Sequence, residues 1–212
     1  MFPERLTKGY RAFIEGRFAV ERGRYQTLAG LGQAPSIMVI GCVDSRVSPE
    51  VIFDAAPGEI LVARNVANLV PRYESPNEED PSHQHGTSAA LEFAVRALKV
   101  RDIVVLGHAF CGGIKAFASD QAPLTSSDFI GRWMSQIAPA ADAITASKED
   151  GEGYLRQLEF ASVALSLKNL MTFPFVKAAV EEGTLRLHGA YFGVASGKLL
   201  VRNERTGFFE PV

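Results

Sequence analysis

Three short, continuous apolar segments occur along the chain, at residues 36–42, 60–63 and 102–108. Each is rich in Val, Ile and Leu and lacks the alternation of apolar and polar residues that a half-exposed strand shows. Segments of this kind are typical of strands buried on both faces of a parallel sheet. Two weaker strand patterns follow at 185–187 and 198–202.

Helical periodicity separates these strands. Residues 87–99 place Leu91, Val95 and Leu98 on one face, and similar spacing recurs over 154–170. A shorter helix is predicted over 173–182, opened by Pro174 near its first turn and closed by Gly183. Strands that alternate with helices predict an α/β fold with a mostly parallel central sheet flanked by helices.

The N-terminal region has its own pattern. Residues 3–24 mix charges with the apolar Phe13, Ile14 and Phe18, which predicts a helix that Gly23 ends. A chain of 212 residues suits one domain. We therefore expect a single domain over 1–212, with residues 1–30 as an N-terminal helical arm.

Composition narrows the possible partners and the compartment. Apolar residues make up 47% of the chain, charged residues 22%, and the net charge is −2. Because no basic stripe and no membrane-spanning apolar run occurs, we expect no nucleic-acid or membrane partner. The chain has only two cysteines, which fits a reducing, cytoplasmic location better than a disulfide framework.

The two cysteines lie beside a histidine in the predicted topology. Cys42 ends the first strand, His108 ends the third, and Cys111 follows three residues later. The carboxyl ends of parallel strands meet at one edge of a sheet, so these side chains can share one crevice. Two sulfurs and one imidazole form a ligand set for catalytic zinc with an open fourth position. The residues alone leave open a second interpretation, two buried thiols beside a core histidine.

Charged and glycine residues flank this group. Asp44 and Arg46 are two positions apart, and an arginine beside an aspartate keeps the carboxylate ionised and oriented. Gly112 and Gly113 follow Cys111 at a predicted helix start, where backbone N–H groups suit a developing anion.

Together these segments resemble a known family. Residues 42–46 (C-V-D-S-R) and 108–113 (H-A-F-C-G-G) are similar to the C-x-D-S-R and H-x-x-C-G-G motifs of β-class carbonic anhydrases. The similarity continues through 64–71 (R-N-V-A-N-L-V-P) and 86–94 (G-T-S-A-A-L-E-F-A), and back to Gln33. It is dense over residues 30–120 and looser elsewhere.

The resemblance implies a lyase that interconverts carbon dioxide and bicarbonate through hydroxide formed on zinc. By position, it assigns the metal to Cys42, His108 and Cys111. Asp44 would pair with Arg46 or become a fourth zinc ligand in a closed state. Gln33 and the N–H of Gly112 would bind substrate. The family also implies self-association to a dimer or larger assembly, with the helical arm lying across the partner.

Four positions depart from the family pattern. Ala109, Leu61 and Phe93 keep the pocket apolar but remove hydroxyl groups, which leaves open an alternative substrate, carbon disulfide or carbonyl sulfide. Val39 replaces a tryptophan that serves a separate bicarbonate pocket in some members. We therefore predict that Asp44 stays paired with Arg46 near neutral pH. A third alternative, a zinc- or redox-sensing module that uses Cys42 and Cys111 as a switch, leaves Asp44, Arg46 and Gln33 without roles.

Overall fold

The computed structural model describes residues 1–75, 86–119 and 129–212, and these residues form a six-stranded sheet. Its order is β2-β1-β3-β4-β5-β6. The strands are β1 (Ile37–Cys42), β2 (Ile60–Asn65), β3 (Asp102–His108), β4 (Arg186–Phe192), β5 (Leu199–Arg202) and β6 (Phe209–Pro211). Strands β1 to β4 are parallel, whereas β5 and β6 continue antiparallel. The predicted α/β fold is confirmed, although β6 was not predicted.

Nine α-helices surround the sheet within the described residues. They are α1 (Glu4–Glu15), α2 (Arg17–Leu31), α3 (Pro49–Ile52), α4 (Gly86–Glu92), α5 (Gly112–Ser119), α6 (Phe129–Met134), α7 (Ala138–Ala141), α8 (Glu152–Leu170) and α9 (Pro174–Glu181). The helix predicted over 87–99 begins as α4 and changes to a π-helical segment at Phe93–Ala97. The sequence also predicts a loop over the polar stretch 73–86, and residues 76–85 of it lie outside the described residues.

Strand register brings the ends of β1 and β3 side by side. Ile37 pairs with Asp102 at one edge of the sheet, and Gly41 pairs with Leu106 near the other. Cys42 and His108 therefore end neighbouring parallel strands at the same edge. The predicted crevice at the carboxyl ends of the strands follows from this register.

The predicted N-terminal arm is two helices rather than one. They meet at Gly16, and α2 runs through Gly23 to Leu31, so Gly23 lies inside a helix instead of ending one. Neither helix has a buried residue. Arg24 donates to the carbonyl of Pro57 at 2.6 Å, which places α2 beside the loop that precedes β2. The single-domain organisation stays a prediction.

The core lies on both faces of the sheet. Met38 and Ile40 of β1 and Ile103 of β3 are fully buried, and Val163 of α8 packs into the same cluster. Among the described residues, no single helix is long and apolar enough to cross a membrane, although α8 and α9, bent by 88° at their junction, meet those limits as a pair.

Close packing of α8 on β3 gives a test of this arrangement. A Cβ atom at Gly107 would lie 2.6 Å from Cγ2 of Val163. We expect Gly107→Ala to lower the free energy of unfolding in urea by about 1–3 kcal/mol, the usual cost of overpacking. In a Val163→Ala background, the same change should add almost no further cost.

Gly23→Ala is the matched control, because a Cβ atom there meets no atom within 4 Å. It lies inside α2, where alanine is a better helix former than glycine, so stability should stay level or rise. An equal loss of stability in Gly107→Ala with and without Val163 would contradict the proposed contact.

Candidate metal centre

Three ligand side chains meet at the carboxyl edge of the sheet. Cys42 ends β1, His108 ends β3, and Cys111 directly precedes α5; all three are buried. The two sulfurs and the imidazole nitrogen lie within 4.8 Å of one another. Cys42 is 66 positions from His108 and 69 from Cys111 in sequence, yet the three form one compact donor set, as the strand-end argument predicts.

The histidine shows that this group fits a metal. Nδ1 of His108 lies 3.0 Å from the carbonyl oxygen of Ala109, which places the ring proton on Nδ1. Nε2 is buried and has no hydrogen-bond partner. A buried nitrogen lone pair without a partner is costly, and a metal ion coordinated by the two neighbouring sulfurs would satisfy it.

Contact between the two sulfurs shifts the pKa values of Cys42 and Cys111 in opposite directions. The hydrogen bond with Cys111, together with His108, lowers the pKa of Cys42 to about 4 against the opposing effect of burial. The same contact with Cys42, followed by burial, raises the pKa of Cys111. Burial would lower the pKa of His108, but its contacts with Cys42 outweigh that and raise it. A group of buried sulfur ligands with an imidazole suits a soft divalent cation.

A strained turn supplies one donor to the Cys42 sulfur. Ala67 and Asn68 adopt left-handed backbone angles, with φ of 62° and 49°, directly after β2. The turn is held by Asn65, whose side chain binds both the N–H and the carbonyl of Leu69 at 2.8 Å. As a result the N–H of Ala67 points at Sγ of Cys42, 3.3 Å away. Strain of this sort persists only where surrounding contacts impose it.

Asp44 is held by Arg46 beside the ligands. Nε and Nη2 of Arg46 donate to the two oxygens of Asp44 at 2.9 and 2.6 Å, and the Arg46 backbone N–H donates at 3.0 Å. These hydrogen bonds hold the pKa of Asp44 well below its usual range. Oδ2 of Asp44 lies 4.0 Å from Nε2 of His108. The structure therefore has the Asp44–Arg46 pair that the sequence predicts.

Arg64 has a contact that the sequence did not predict. Its Nε donates to the carbonyl of Cys42 and its Nη2 to the carbonyl of Asp44, both at 2.8 Å. The guanidinium group thus braces the segment that carries the first ligand and the aspartate. Two of the guanidinium donors are thereby used on backbone carbonyls.

The two predicted substrate-binding residues lie in different places. Gly112 is the first residue of α5, next to Cys111. Gln33 is exposed and lies between the end of α2 and β1, on the amino side of the sheet. Strand β1 advances about 3.3 Å per residue, so its six residues separate that side from Cys42 by about 17 Å. We therefore expect Gln33, which precedes β1 by four residues, to lie far from the ligands of its own chain.

Two residues near the ligands were missed altogether. Glu159 of α8 accepts the backbone N–H of Cys111 at 3.0 Å, and the hydroxyl of Tyr191 donates to its other oxygen at 2.6 Å. In the sequence, Glu159 is one charge within a helical pattern, and nothing marks its position as buried.

Comparison with known proteins gives a consistent result. Residues 37–199 match the protein family described as carbonic anhydrase. The chain is 37% identical over 189 residues to the chloroplastic β carbonic anhydrase 5 of Arabidopsis thaliana, covering 88% of this chain and 60% of that protein. It is 34% identical over 198 residues to β carbonic anhydrase 3 of the same plant, covering 92% and 74%.

A solved structure shares the fold as well. The tetrameric β-carbonic anhydrases of Sordaria macrospora include a chain that superposes with a TM-score of 0.76 at 28% identity, over 92% of this chain and 94% of that one. The chain thus spans less than two thirds of the first plant relative but nearly the whole of this fungal one.

Proposed function

The chain belongs to the β-carbonic anhydrase family, and from this premise we propose that it catalyses the reversible hydration of carbon dioxide to bicarbonate and a proton. The observation that carries the proposal is the buried cluster of Cys42, His108 and Cys111, in which the histidine Nε2 has no hydrogen-bond partner. This donor set leaves the fourth position of a tetrahedral metal open, as catalytic sites require.

Zinc is the cofactor of this family, and the three ligands fit it. When bound, zinc supplies a Lewis acid that makes a water molecule acidic enough to react near neutral pH. Cys42 and Cys111 offset the charge of the ion, and the Nδ1–H of His108 stays fixed on the Ala109 carbonyl, which keeps Nε2 directed at the metal.

The Asp44–Arg46 pair orients the reacting water. Because Arg46 keeps Asp44 ionised, Oδ2 is a hydrogen-bond acceptor only, 4.0 Å from Nε2 of His108. An acceptor at that place selects one orientation of the water hydrogens and directs an oxygen lone pair away from Asp44. The bidentate contact with Arg46 also restrains Asp44 from ligating the metal itself.

Carbon dioxide is apolar and needs few specific contacts from the protein, whereas bicarbonate is an anion and needs more. Bicarbonate needs hydrogen-bond donors, and we propose the N–H of Gly112, the first residue of α5, as one of them. Gln33 can supply another only from a second copy of the chain, given its distance from its own ligands.

Stopped-flow measurement of carbon dioxide hydration by the zinc-loaded protein tests this function. We expect turnover that far exceeds the buffer rate, and no comparable turnover of carbonyl sulfide or carbon disulfide. The sulfur substrates are not supported, because each of the relatives reported above is a carbonic anhydrase. Faster release of hydrogen sulfide from carbonyl sulfide than hydration of carbon dioxide would overturn the proposal.

Self-association is the proposed assembly. Helix α1 exposes Leu6 and Tyr10, which remain 55% and 63% accessible, and has no buried residue. An apolar stripe of this kind on an isolated chain favours burial against a partner. The Sordaria macrospora relatives are tetramers, which supports a dimer or larger assembly here.

Removing residues 1–15 should shift the protein toward monomer in multi-angle light scattering. The deletion removes α1 but keeps the contacts of α2 with the loop before β2, so each chain should stay folded. Leu6→Ser combined with Tyr10→Ser should weaken assembly in the same direction, whereas Lys8→Ser on the polar side of α1 should not. An unchanged molar mass after deletion would argue against the role of the arm.

Location and other partners stay predictions. We propose a cytoplasmic location, because the chain has only two cysteines and both belong to the proposed metal centre. The near-neutral charge supports small-molecule partners, carbon dioxide and bicarbonate, rather than nucleic acid or membrane.

A further inference from the structure

Glu159 is a buried carboxylate that contacts the metal centre through the backbone N–H of Cys111. Its residue is 5% exposed, and among the described residues it has no ion-pair partner. Burial raises the pKa of Glu159 above its usual range. A buried carboxyl group without a cation is costly, and an apolar residue at this position of α8 would favour stability more. Glu159 is therefore of interest for the residues that its hydrogen bonds keep in place.

The contacts of Glu159 hold the loop that joins two metal ligands. Oε1 accepts the N–H of Cys111 at 3.0 Å, so the carboxyl group is bonded to the residue that ends the loop from His108. Phe110 has a left-handed backbone, with φ of 57°, which costs a non-glycine residue about 1–3 kcal/mol. Arg46 donates to the Phe110 carbonyl at 3.0 Å from the opposite direction. The strained loop is thus fixed on two sides, and its conformation sets the place of Cys111 relative to His108.

Tyr191 fixes the other end of the carboxyl group. Its hydroxyl donates to Oε2 of Glu159 at 2.6 Å, and its ring packs edge-on against Phe160 at 4.7 Å. Tyr191 lies on β4 opposite Gly107 of β3, one residue before the histidine ligand. Burial, followed by the contact with Glu159, raises the pKa of Tyr191, so its hydroxyl stays a donor. Because Tyr191 occupies Oε2, Oε1 is the oxygen that accepts the backbone N–H of Cys111.

We propose that Glu159, held by Tyr191, is a positioning residue that places the Cys111 thiolate for metal binding through the Cys111 N–H. The inference rests on the zinc centre of the proposed function. Outer-shell groups that orient metal ligands typically contribute 10–100-fold to metal affinity or activity. Glu159 differs from the usual case because it orients a cysteine through its backbone rather than a histidine through its ring.

Zinc release to a chelating dye separates positioning from general stability. Glu159→Leu should release zinc about 10–100-fold faster than the wild type. Glu159→Gln should stay within about three-fold of the wild type, since its amide oxygen still accepts the Cys111 N–H without a charge. Tyr191→Phe should release zinc several-fold faster. In cobalt-loaded protein, the thiolate-to-metal absorption should change in Glu159→Leu and not in Glu159→Gln.

Asn169→Leu is the matched control, because Asn169 is also a buried polar residue of α8. It donates to the carbonyl of Val70 at 2.8 Å, and no metal ligand is among its contacts. It should lower thermal stability and leave zinc release unchanged. Release as fast in Asn169→Leu as in Glu159→Leu would overturn the inference, because loosening of α8 would then explain both.

The remaining outcomes are equally decisive. Wild-type release in a folded Glu159→Leu variant would overturn the inference, as would release in Glu159→Gln as fast as in Glu159→Leu. If Glu159→Leu does not fold, Tyr191→Phe decides: faster release supports the inference and wild-type release overturns it. A wild-type protein that binds no zinc would overturn the proposed function itself, which these variants do not test.

Discussion

Cys111→Ser is expected to lose zinc and carbon dioxide hydration together. The serine hydroxyl stays neutral near pH 7, so it replaces an anionic ligand with a weak neutral one. Cys111 is buried beside Cys42 and His108, and no other described cysteine or histidine lies in that donor set. We expect zinc content to fall from about one ion per chain to near zero. Turnover should fall at least about 1,000-fold, well beyond the 10–100-fold cost of outer-shell changes.

Metal analysis and stopped-flow assays of the same preparations measure this effect. Cys42→Ser should behave in the same way, and the double variant should be no worse than either single one, because ligands of one metal act as a unit. Ser162→Ala, a buried change on α8 outside the donor set, should keep zinc. A Cys111→Ser protein with near-full zinc and more than a tenth of wild-type turnover would contradict the ligand assignment.

Arg46→Ala is expected to remove most activity while zinc remains bound. The substitution takes away both side-chain hydrogen bonds of Asp44 and the nearby positive charge. With Oδ2 only 4.0 Å from the histidine nitrogen, the freed carboxylate can then ligate the metal and close the fourth position. It also removes the donor to the Phe110 carbonyl. Hydration should fall about 100-fold, by loss of an oriented acceptor and of the open coordination site.

Arg46→Lys is the matched control, because it keeps the charge but not the bidentate contact, so its activity should be intermediate. In crystals of the zinc-loaded variants, an Asp44 oxygen should lie about 2.0–2.2 Å from zinc in Arg46→Ala only. In zinc-loaded wild-type crystals near pH 8, Asp44 should remain on Arg46. An Asp44 oxygen about 2.0–2.2 Å from zinc in those crystals would contradict this account.

Much of the centre could be predicted because its residues lie at strand ends or in short local patterns. Cys42 and His108 each end a continuous apolar strand, and parallel strands place such ends together. Cys111 follows His108 within a short loop, and the two-residue spacing of Asp44 and Arg46 allows their ion pair without any long-range contact. Apolar periodicity also identified α8 and α9 closely, since both pack a face on the sheet.

Other contacts depend on which distant segments pack together. Arg64, the turn at Ala67 and Glu159 act on the ligands through backbone carbonyls and N–H groups, which carry no residue-type signal. The arm was predicted as one helix because the mixture of charged and apolar residues continues on both sides of Gly16, where α1 and α2 meet. The remote place of Gln33 depends on the direction of β1.

The sequence by itself determined the fold class, because strand hydrophobicity depends on residue type and local order. Its motifs also identified the family, and that resemblance supplied the three candidate ligands. Only the tertiary structure decided how the ligands are held. The conformation of the loop between His108 and Cys111 depends on the buried carboxyl group of Glu159, 48 residues further along the chain. Its hydrogen bonds form only after α8 packs against β3 and excludes water from them, so local sequence does not record them.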